Sequence, residues 1–195
     1  MLVSIIIRTL NEELYLDELL CAINSQNLNG FSCEIVVVDS GSIDNTLKIA
    51  KKHNARIAYI NKQDFTFGRS LNVGCEFANG EYLVFISGHC IPVDQNWLNI
   101  LVAPLIQNKC DYSYGRQIGK DTTKFSEMQV FDKHFPDETH IPQSGFFCNN
   151  ANAAISRRAW GKFRFDENLT GLEDMFIAKQ IYQDKGLIGY ISDSV

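Results

Sequence analysis

Glu34-Ile35-Val36-Val37-Val38-Asp39-Ser40-Gly41-Ser42-Ile43-Asp44-Asn45-Thr46 is the stretch that decides the fold class. Its β-branched apolar run is the pattern of a strand buried on both faces of a parallel sheet. The run stops at Asp39, and Gly41 supplies the backbone freedom for a sharp turn. Ser42 is expected as a helix N-cap, with Leu47, Ala50 and Lys51 continuing at helical spacing. Asp39 then sits at the carboxyl end of a central strand, where open α/β sheets bind their ligands. Two readings of the turn stand. Asp39 accepts hydrogen bonds from a base or ribose beside the backbone N–H groups of the helix start, or Asp39 and Asp44 only cap the turn. In either case Asp39 lies outside the core, and its loss is expected to leave the fold intact.

The flanking sequence repeats the pattern. Residues 3–8 read as a first strand, and Leu16, Leu19, Leu20 and Ile23 recur at i, i+3, i+4, i+7, an amphipathic helix. This βαβα start argues for a parallel sheet. Residues 56–60 read as a third strand, 69–77 as a helix closed by Asn79-Gly80, and 82–86 as a fourth strand ending at a polar turn, 87–92. Asp94 is expected to cap the next helix, whose apolar face is Trp97, Leu98, Leu101, Val102 and Leu105, with Pro104 weakening the last turn. The second half is less regular. It reads as strands at 111–116, 152–157 and 187–191, a short helical piece at 125–131 within a long polar segment, 120–146, and a helix at 171–185 that starts with Glu173-Asp174.

Composition bounds the class. The 195 residues are 45% hydrophobic, enough for one domain with a real core. A net charge of −5 leaves no basic footprint, so nucleic acid is excluded as an expected partner. Cys21, Cys33, Cys75, Cys90, Cys110 and Cys148 show no metal-binding spacing and read as reduced thiols of a cytosolic chain. No segment has the length to span a bilayer. The sequence stops at Val195 without a polar tail or capping pattern, which reads as residues 1–195 forming a single domain cut from a longer protein.

Four stretches in order carry a resemblance: Ser4-Ile5-Ile6-Ile7-Arg8-Thr9-Leu10-Asn11-Glu12, Val37-Val38-Asp39-Ser40-Gly41-Ser42-Ile43-Asp44-Asn45-Thr46, Phe67-Gly68-Arg69-Ser70-Leu71-Asn72-Val73-Gly74 and Thr170-Gly171-Leu172-Glu173-Asp174. Together they resemble the inverting family 2 glycosyltransferases of the GT-A fold, an α/β fold with a mostly parallel central sheet and flanking helices. Val84-Phe85-Ile86-Ser87-Gly88-His89-Cys90-Ile91-Pro92 looks most like the bacterial rhamnosyltransferase-type branch. The resemblance implies transfer of a sugar from a nucleoside-diphosphate donor to a hydroxyl of a glycan or lipid-linked acceptor. It implies a nucleotide-sugar pocket formed by Thr9, Asn11, Glu12, Asp39, Ser42, Asp44, Arg69, Asn72 and Asn150. Asp174 is the implied general base, with Glu173 orienting it or touching the sugar. Asn149 and Asn152 look like further sugar- or acceptor-facing positions. A cytoplasmic location is expected, with peripheral association at the inner face of the membrane through the missing C-terminal part.

One departure stands out at Ser87-Gly88-His89, where most relatives carry an acidic pair that holds a divalent ion. A neutral histidine brings no negative charge, so His89 is expected to help hold Mn²⁺ or Mg²⁺ only when bound nucleotide adds its oxygens. No redox cofactor is expected, and His53, His134 and His140 read as solvated. Two other functions compete. A nucleotidyltransferase would carry a glycine-rich phosphate loop after the first strand, whereas the sequence there is Arg8-Thr9-Leu10-Asn11-Glu12. A non-catalytic nucleotide-sugar or glycan binding module would have no use for a base at Glu173-Asp174.

Overall fold

Strand β1 (Leu2–Thr9) is the axis of the molecule, because alternate side chains of its apolar run enter two different cores. Val3, Ile5 and Ile7 point into one core and Ile6 into the other. The computed structural model describes residues 1–119 and 123–195. In it β1 is followed by α1 (Leu16–Asn24), β2 (Ser32–Asp39), α2 (Thr46–Lys52) and β3 (Arg56–Tyr59). Next come α3 (Phe67–Phe77), β4 (Tyr82–Ser87), α4 (Trp97–Ile106) and β5 (Tyr112–Gly115). The chain continues through α5 (Phe125–His134), β6 (Asn152–Ser156), α6 (Arg157–Phe163), α7 (Glu173–Gln183) and β7 (Ile188–Ile191).

The strands form one seven-stranded sheet in the order β3-β2-β1-β4-β6-β5-β7. Every pairing is parallel except those of β6, which runs antiparallel to β4 and β5. The fold class is therefore the expected one. Leu16, Leu19, Leu20 and Ile23 of α1 are buried with Trp97, Leu98, Leu101, Val102 and Leu105 of α4 on one face. Leu71 and Cys75 of α3, Trp160 of α6 and Ile177 and Ile181 of α7 pack on the other. The chain order reverses about β1, whose neighbours are β2 and β4. That is the switch point where such sheets open a crevice at their carboxyl ends.

Local chemistry corrects several boundaries. Ser42 does not cap a helix: α2 begins at Thr46, and Asp44 Oδ1 takes up the Thr46 N–H at 2.9 Å. Asp94 likewise sits one turn early, accepting from Asn96 N at 2.6 Å ahead of α4. Helix α3 starts at Phe67, two residues before the expected start, because Thr66 caps it by accepting from Arg69 N. Helix α6 was not anticipated, since Ser156 ends β6 and caps the new helix at once through Ala159 N. Residues 120–122 of the long polar segment lie outside the described residues. Farther along, Tyr114 and Phe135 stack edge-on against Phe147, which ties the segment to β5. None of the six cysteines forms a disulfide among the described residues.

One half-buried acid, Glu34 of β2, joins three strands. Ser4 in β1 donates to Glu34 Oε1 at 2.7 Å, and Arg56 in β3 donates to Oε2 at 2.7 Å, while Asn79 donates through its Nδ2 at 3.2 Å. Burial raises the Glu34 pKa, but these donors and the Asn79 N–H outweigh it and bring it from 4.5 down to about 2. A carboxylate with a depressed folded pKa contributes stability that is present above pH 4.5 and lost as pH falls toward 2. Glu34→Gln should lower the unfolding free energy at pH 7 by about 1–3 kcal/mol, the exposed Arg56 partner keeping it at the lower end. Urea unfolding against pH checks this: the variant should lose the dependence between pH 4.5 and 2, and an unchanged pH profile would remove Glu34 from this role.

Candidate active site

The carboxyl ends of β1 and β2 are locked together by one carboxylate. Asp39 Oδ2 accepts from Gly41 N at 2.9 Å and Ser42 N at 3.0 Å, and Oδ1 accepts from the Thr9 hydroxyl at 3.2 Å and from the Ser42 hydroxyl. Gly41 makes this closure possible at φ +101, a backbone region that other residues rarely adopt. Asn11, itself left-handed at φ 57, accepts from Ile43 N at 2.9 Å and donates its own N–H to Ser42 Oγ at 2.9 Å. Glu12 N reaches Thr46 Oγ1 at 2.8 Å, and Glu13 N reaches Asp44 Oδ2 at 3.1 Å. Thr9, Asn11, Glu12, Asp39, Ser42 and Asp44 are thus brought together as the sequence suggested. Their polar atoms largely bind one another. Asp39 is only 1% exposed and closes this loop pair, which corrects the expectation that it lies outside the buried interior.

Beside that edge lies a cavity of 210 Å³ lined by Arg8, Thr9, Glu12, Phe67, Ser87 and His89, among others. Gly88 lets the β4 turn approach Glu12, since a Cβ there would come within 3.0 Å of Glu12 Cγ. His89 is 60% exposed in its side chain and stands 3.7 Å from Glu12 Oε1. It also faces a second cavity of 210 Å³ walled by Ile86, Ile91, Trp97 and Arg116. Arg8 shares the face of Ile6, above the α3 and α7 layer. Its guanidinium lies 4.9 Å over the Phe67 ring, and Nη1 is 3.6 Å from Glu173 Oε1. That Nη1 is buried and has no hydrogen-bond partner among the described residues.

Glu173 and Asp174 open α7, where a helix N-terminus favours acids. Leu172 before them adopts φ 61, the turn that swings α7 to the sheet edge. Asp174 Oδ2 accepts from Asn150 N at 3.2 Å and Oδ1 from Met175 N at 2.7 Å. Burial raises both carboxyl pKa values; for Glu173 the neighbouring Asp174 adds to the rise, and Arg8 opposes it for both. The pair therefore holds protons more tightly than ordinary acids.

Other expected residues stand elsewhere. Asn72 is buried on the inner face of α3, accepting from Trp160 Nε1 at 3.0 Å and donating to Phe165 O at 2.9 Å, so it packs α6 and has no access to a ligand. Asn152 is likewise structural: Trp97 Nε1 donates to it at 2.9 Å and it donates to Ser194 O at 2.8 Å. Asn150 is buried, its Oδ1 taken by the Tyr112 hydroxyl, and it braces Asp174 through the backbone. The Asn149 side chain turns back to accept from Ala151 N at 2.8 Å. Arg69 is exposed on the first turns of α3, two residues after Phe67. His53 is not solvated, because it contacts Asp17 Oδ1 at 2.8 Å and Asn24 Nδ2 at 3.1 Å between α1 and α2. His134, half-buried at the end of α5, stacks on Phe147, and His140 is exposed as expected and pairs by backbone with Tyr190. The residue missed by sequence reasoning is Arg8. Its signal was a cation ending a buried strand, on the face of Ile6.

The profile of Glycosyl transferase family 2 matches residues 4–163. The chain belongs to glycosyltransferase family 2. Similar curated proteins are the poly(ribitol-phosphate) β-N-acetylglucosaminyltransferase TarS of Staphylococcus aureus strain MW2, 33% identical over 97% of this chain and 34% of its own. Glycosyltransferase AglE of Haloferax volcanii is 35% identical over 66% of this chain and 46% of its own. The chain thus spans about a third to a half of these relatives. Among solved structures, TarS 1-349 in complex with UDP-GlcNAc aligns over 99% of this chain and 56% of its own, with a TM-score of 0.77 and 22% identity. A Pyrobaculum calidifontis mannosyltransferase in complex with GDP-Man and Mn²⁺ aligns with a TM-score of 0.75 and 19% identity. These likenesses establish the GT-A fold. The matched residues include the Ser87-Gly88-His89 turn after β4, and Glu173-Asp174 lie beyond them.

Because Asp39 holds four donors, Asp39→Ala should destabilise the domain by about 1–3 kcal/mol as well as disturb the cleft. Urea unfolding reads this directly. An unchanged midpoint would show that the loop pair closes without the carboxylate.

Proposed function

We propose that this domain moves a glycosyl group from a nucleoside-diphosphate sugar to an acceptor hydroxyl with inversion, Asp174 serving as general base. The observation that carries the reading is the Glu173-Asp174 pair, raised in pKa by burial and set behind Arg8, which itself lines the cleft at the sheet's switch point. Inversion is a single displacement. The acceptor oxygen bonds to the anomeric carbon, its proton passes to Asp174, and the electron pair of the breaking bond leaves on the diphosphate. Proton removal of this kind contributes on the order of a hundred- to ten-thousand-fold. Asn150 N and Met175 N fix the Asp174 carboxylate, and Glu173 orients the sugar or the base. A purely binding module would gain nothing from two adjacent acids withdrawn from water, one buried and one half-buried, whose ionisation costs stability.

TarS is named for poly(ribitol-phosphate) and GgaB of Bacillus subtilis for minor teichoic acid. By analogy the acceptor here is a hydroxyl of a cell-envelope glycan or lipid-linked saccharide, reached at the inner face of the membrane. The rhamnosyltransferase-like assignment, resting on residues 84–92, belongs to the same proposal. No helix among the described residues is long and apolar enough to cross a membrane. For a divalent ion, His89 and Glu12 offer two donors 3.7 Å apart, too few for a hard cation on their own. An ion held there would need the oxygens of the diphosphate. Among the described residues a trio of candidate ligands, Asp17, Cys21 and His53, lies instead between α1 and α2, and Lys52 already bonds Asp17 there.

Two measurements test this reading. Asp174→Asn should keep nucleotide binding and lose about a hundredfold or more in transfer. In the unmodified enzyme kcat/KM should rise with pH through a value above the ordinary Asp 3.8, because a raised pKa keeps the base protonated to higher pH. Near-normal turnover of the variant would move the base elsewhere. Separately, Mn²⁺ titrated into the nucleotide-free chain should show no saturable micromolar binding. Binding abolished by His89→Ala would reveal a preformed ion site.

A further inference from the structure

We propose that the Arg8 guanidinium is the fixed positive charge that receives the donor's diphosphate, in place of a charge brought by a divalent ion at the β4 turn. The inference rests on the nucleotide-sugar reading above and names the residue that holds the leaving group.

Arg8 pairs in register with Ser87, so the guanidinium and the Ser87-Gly88-His89 turn share one end of the β1–β4 pair. Both line the same 210 Å³ cavity, together with Thr9 and Ser40 of the neighbouring loop pair. The turn contributes no carboxylate, and Glu12 is the acid facing His89. The cleft presents a half-buried cation opposite a turn without acids, with Glu12 as its acidic lining residue, an arrangement that suits an anion at Arg8. The guanidinium is held but not used up. Phe67 supports its plane at 4.9 Å, and Glu173 Oε1 at 3.6 Å is beyond ordinary hydrogen-bond length. Nη1 is buried without a hydrogen-bond partner among the described residues, a costly state for a charged donor. The side chain keeps 19% of its surface exposed, and phosphate oxygens entering the cleft would meet the planar fork of arginine there. During transfer the bond from the anomeric carbon to the diphosphate oxygen breaks with its electron pair going to that oxygen. The proton of the acceptor goes to Asp174. The negative charge that builds on the diphosphate meets Arg8, as a preorganised donor stabilises developing charge.

The test compares binding of UDP, GDP and dTDP, and of the matching nucleosides, to the unmodified chain, Arg8→Lys and Arg8→Ala, each with EDTA and with Mn²⁺. In the unmodified chain the preferred diphosphate should bind within about twofold the same under both conditions. Arg8→Ala should weaken it by about 10- to 100-fold, as for loss of a charged hydrogen-bond partner, and leave the nucleoside unchanged. Arg8→Lys should recover part of the loss, since it restores the charge without the fork. It also carries the comparison if Arg8→Ala does not fold, as judged by circular dichroism. Tightening by tenfold or more with Mn²⁺ in the unmodified chain would overturn the inference, as would equal losses for nucleoside and diphosphate. Either result leaves the transferase reading standing. Failure of all three diphosphates to bind would remove both.

Discussion

The hydrogen bonds gathered by the Asp39 carboxylate set the geometry of the sheet's working edge. A strand end leaves backbone N–H groups without ladder partners, and two such ends lie side by side at β1 and β2. Asp39 satisfies two of these N–H groups and two hydroxyls at once, in a site from which water is excluded. Charged acceptors in such surroundings form strong bonds, and leaving their donors unmet is expensive. The loop after β1 can then pack on the loop after β2 through Asn11, Glu12 and Glu13. Without that contact neither loop has enough apolar surface to order itself. The cleft wall formed by Thr9, Glu12 and Ser40 is a consequence of this closure.

Electrostatics at the cleft work against stability. Glu173 is buried, Asp174 beside it is half-buried, and both are raised in pKa, so the native state binds protons more tightly than the unfolded chain. Each therefore contributes stability that is present below the unfolded pKa and is lost as pH rises through the folded one. At neutral pH the pair is a net cost. Arg8 offsets part of it, and its own charge is disfavoured by burial, which lowers its pKa. Three charges held at a cost in one place mark a functional site more clearly than any single motif does.

What the sequence made legible follows from the range of the forces involved. Apolar periodicity is local, so α1 and α4 show their buried faces in the order of their residues, and β1, β2 and β4 show theirs as runs. Caps were read less well, because Ser42 and Asp94 had competing partners that no local pattern reveals: Ser42 bonds Asp39 and Asn11, and Asp94 makes its own turn. The site was legible as a set of motifs but not as a division of labour. Asn72 and Asn152 look like ligand contacts in sequence, whereas each answers the indole N–H of a buried tryptophan, Trp160 or Trp97. A buried donor must be met, and asparagine meets it from far along the chain. Arg8 was overlooked for the opposite reason, since its meaning depends on Glu173, 165 positions away.

The antiparallel strand β6 is what closes that distance. By pairing with β4 on one side and β5 on the other, it carries the second half of the chain back to the centre of the sheet. Its approach segment places Asn150 against both Tyr112 of β5 and Asp174 of α7. Arg157, just past its end, donates to Gly80, Cys75 and Ala78 carbonyls and so fastens the carboxyl end of α3. Helix α3 in turn supplies Phe67, the ring on which Arg8 rests. The acid pair and the arginine are thus positioned by the same strand through two separate routes, one along α7 and one along α3. A register error in β6 would therefore displace the base and the cation together, so the reverse pairing of this one strand is where fold and chemistry are joined.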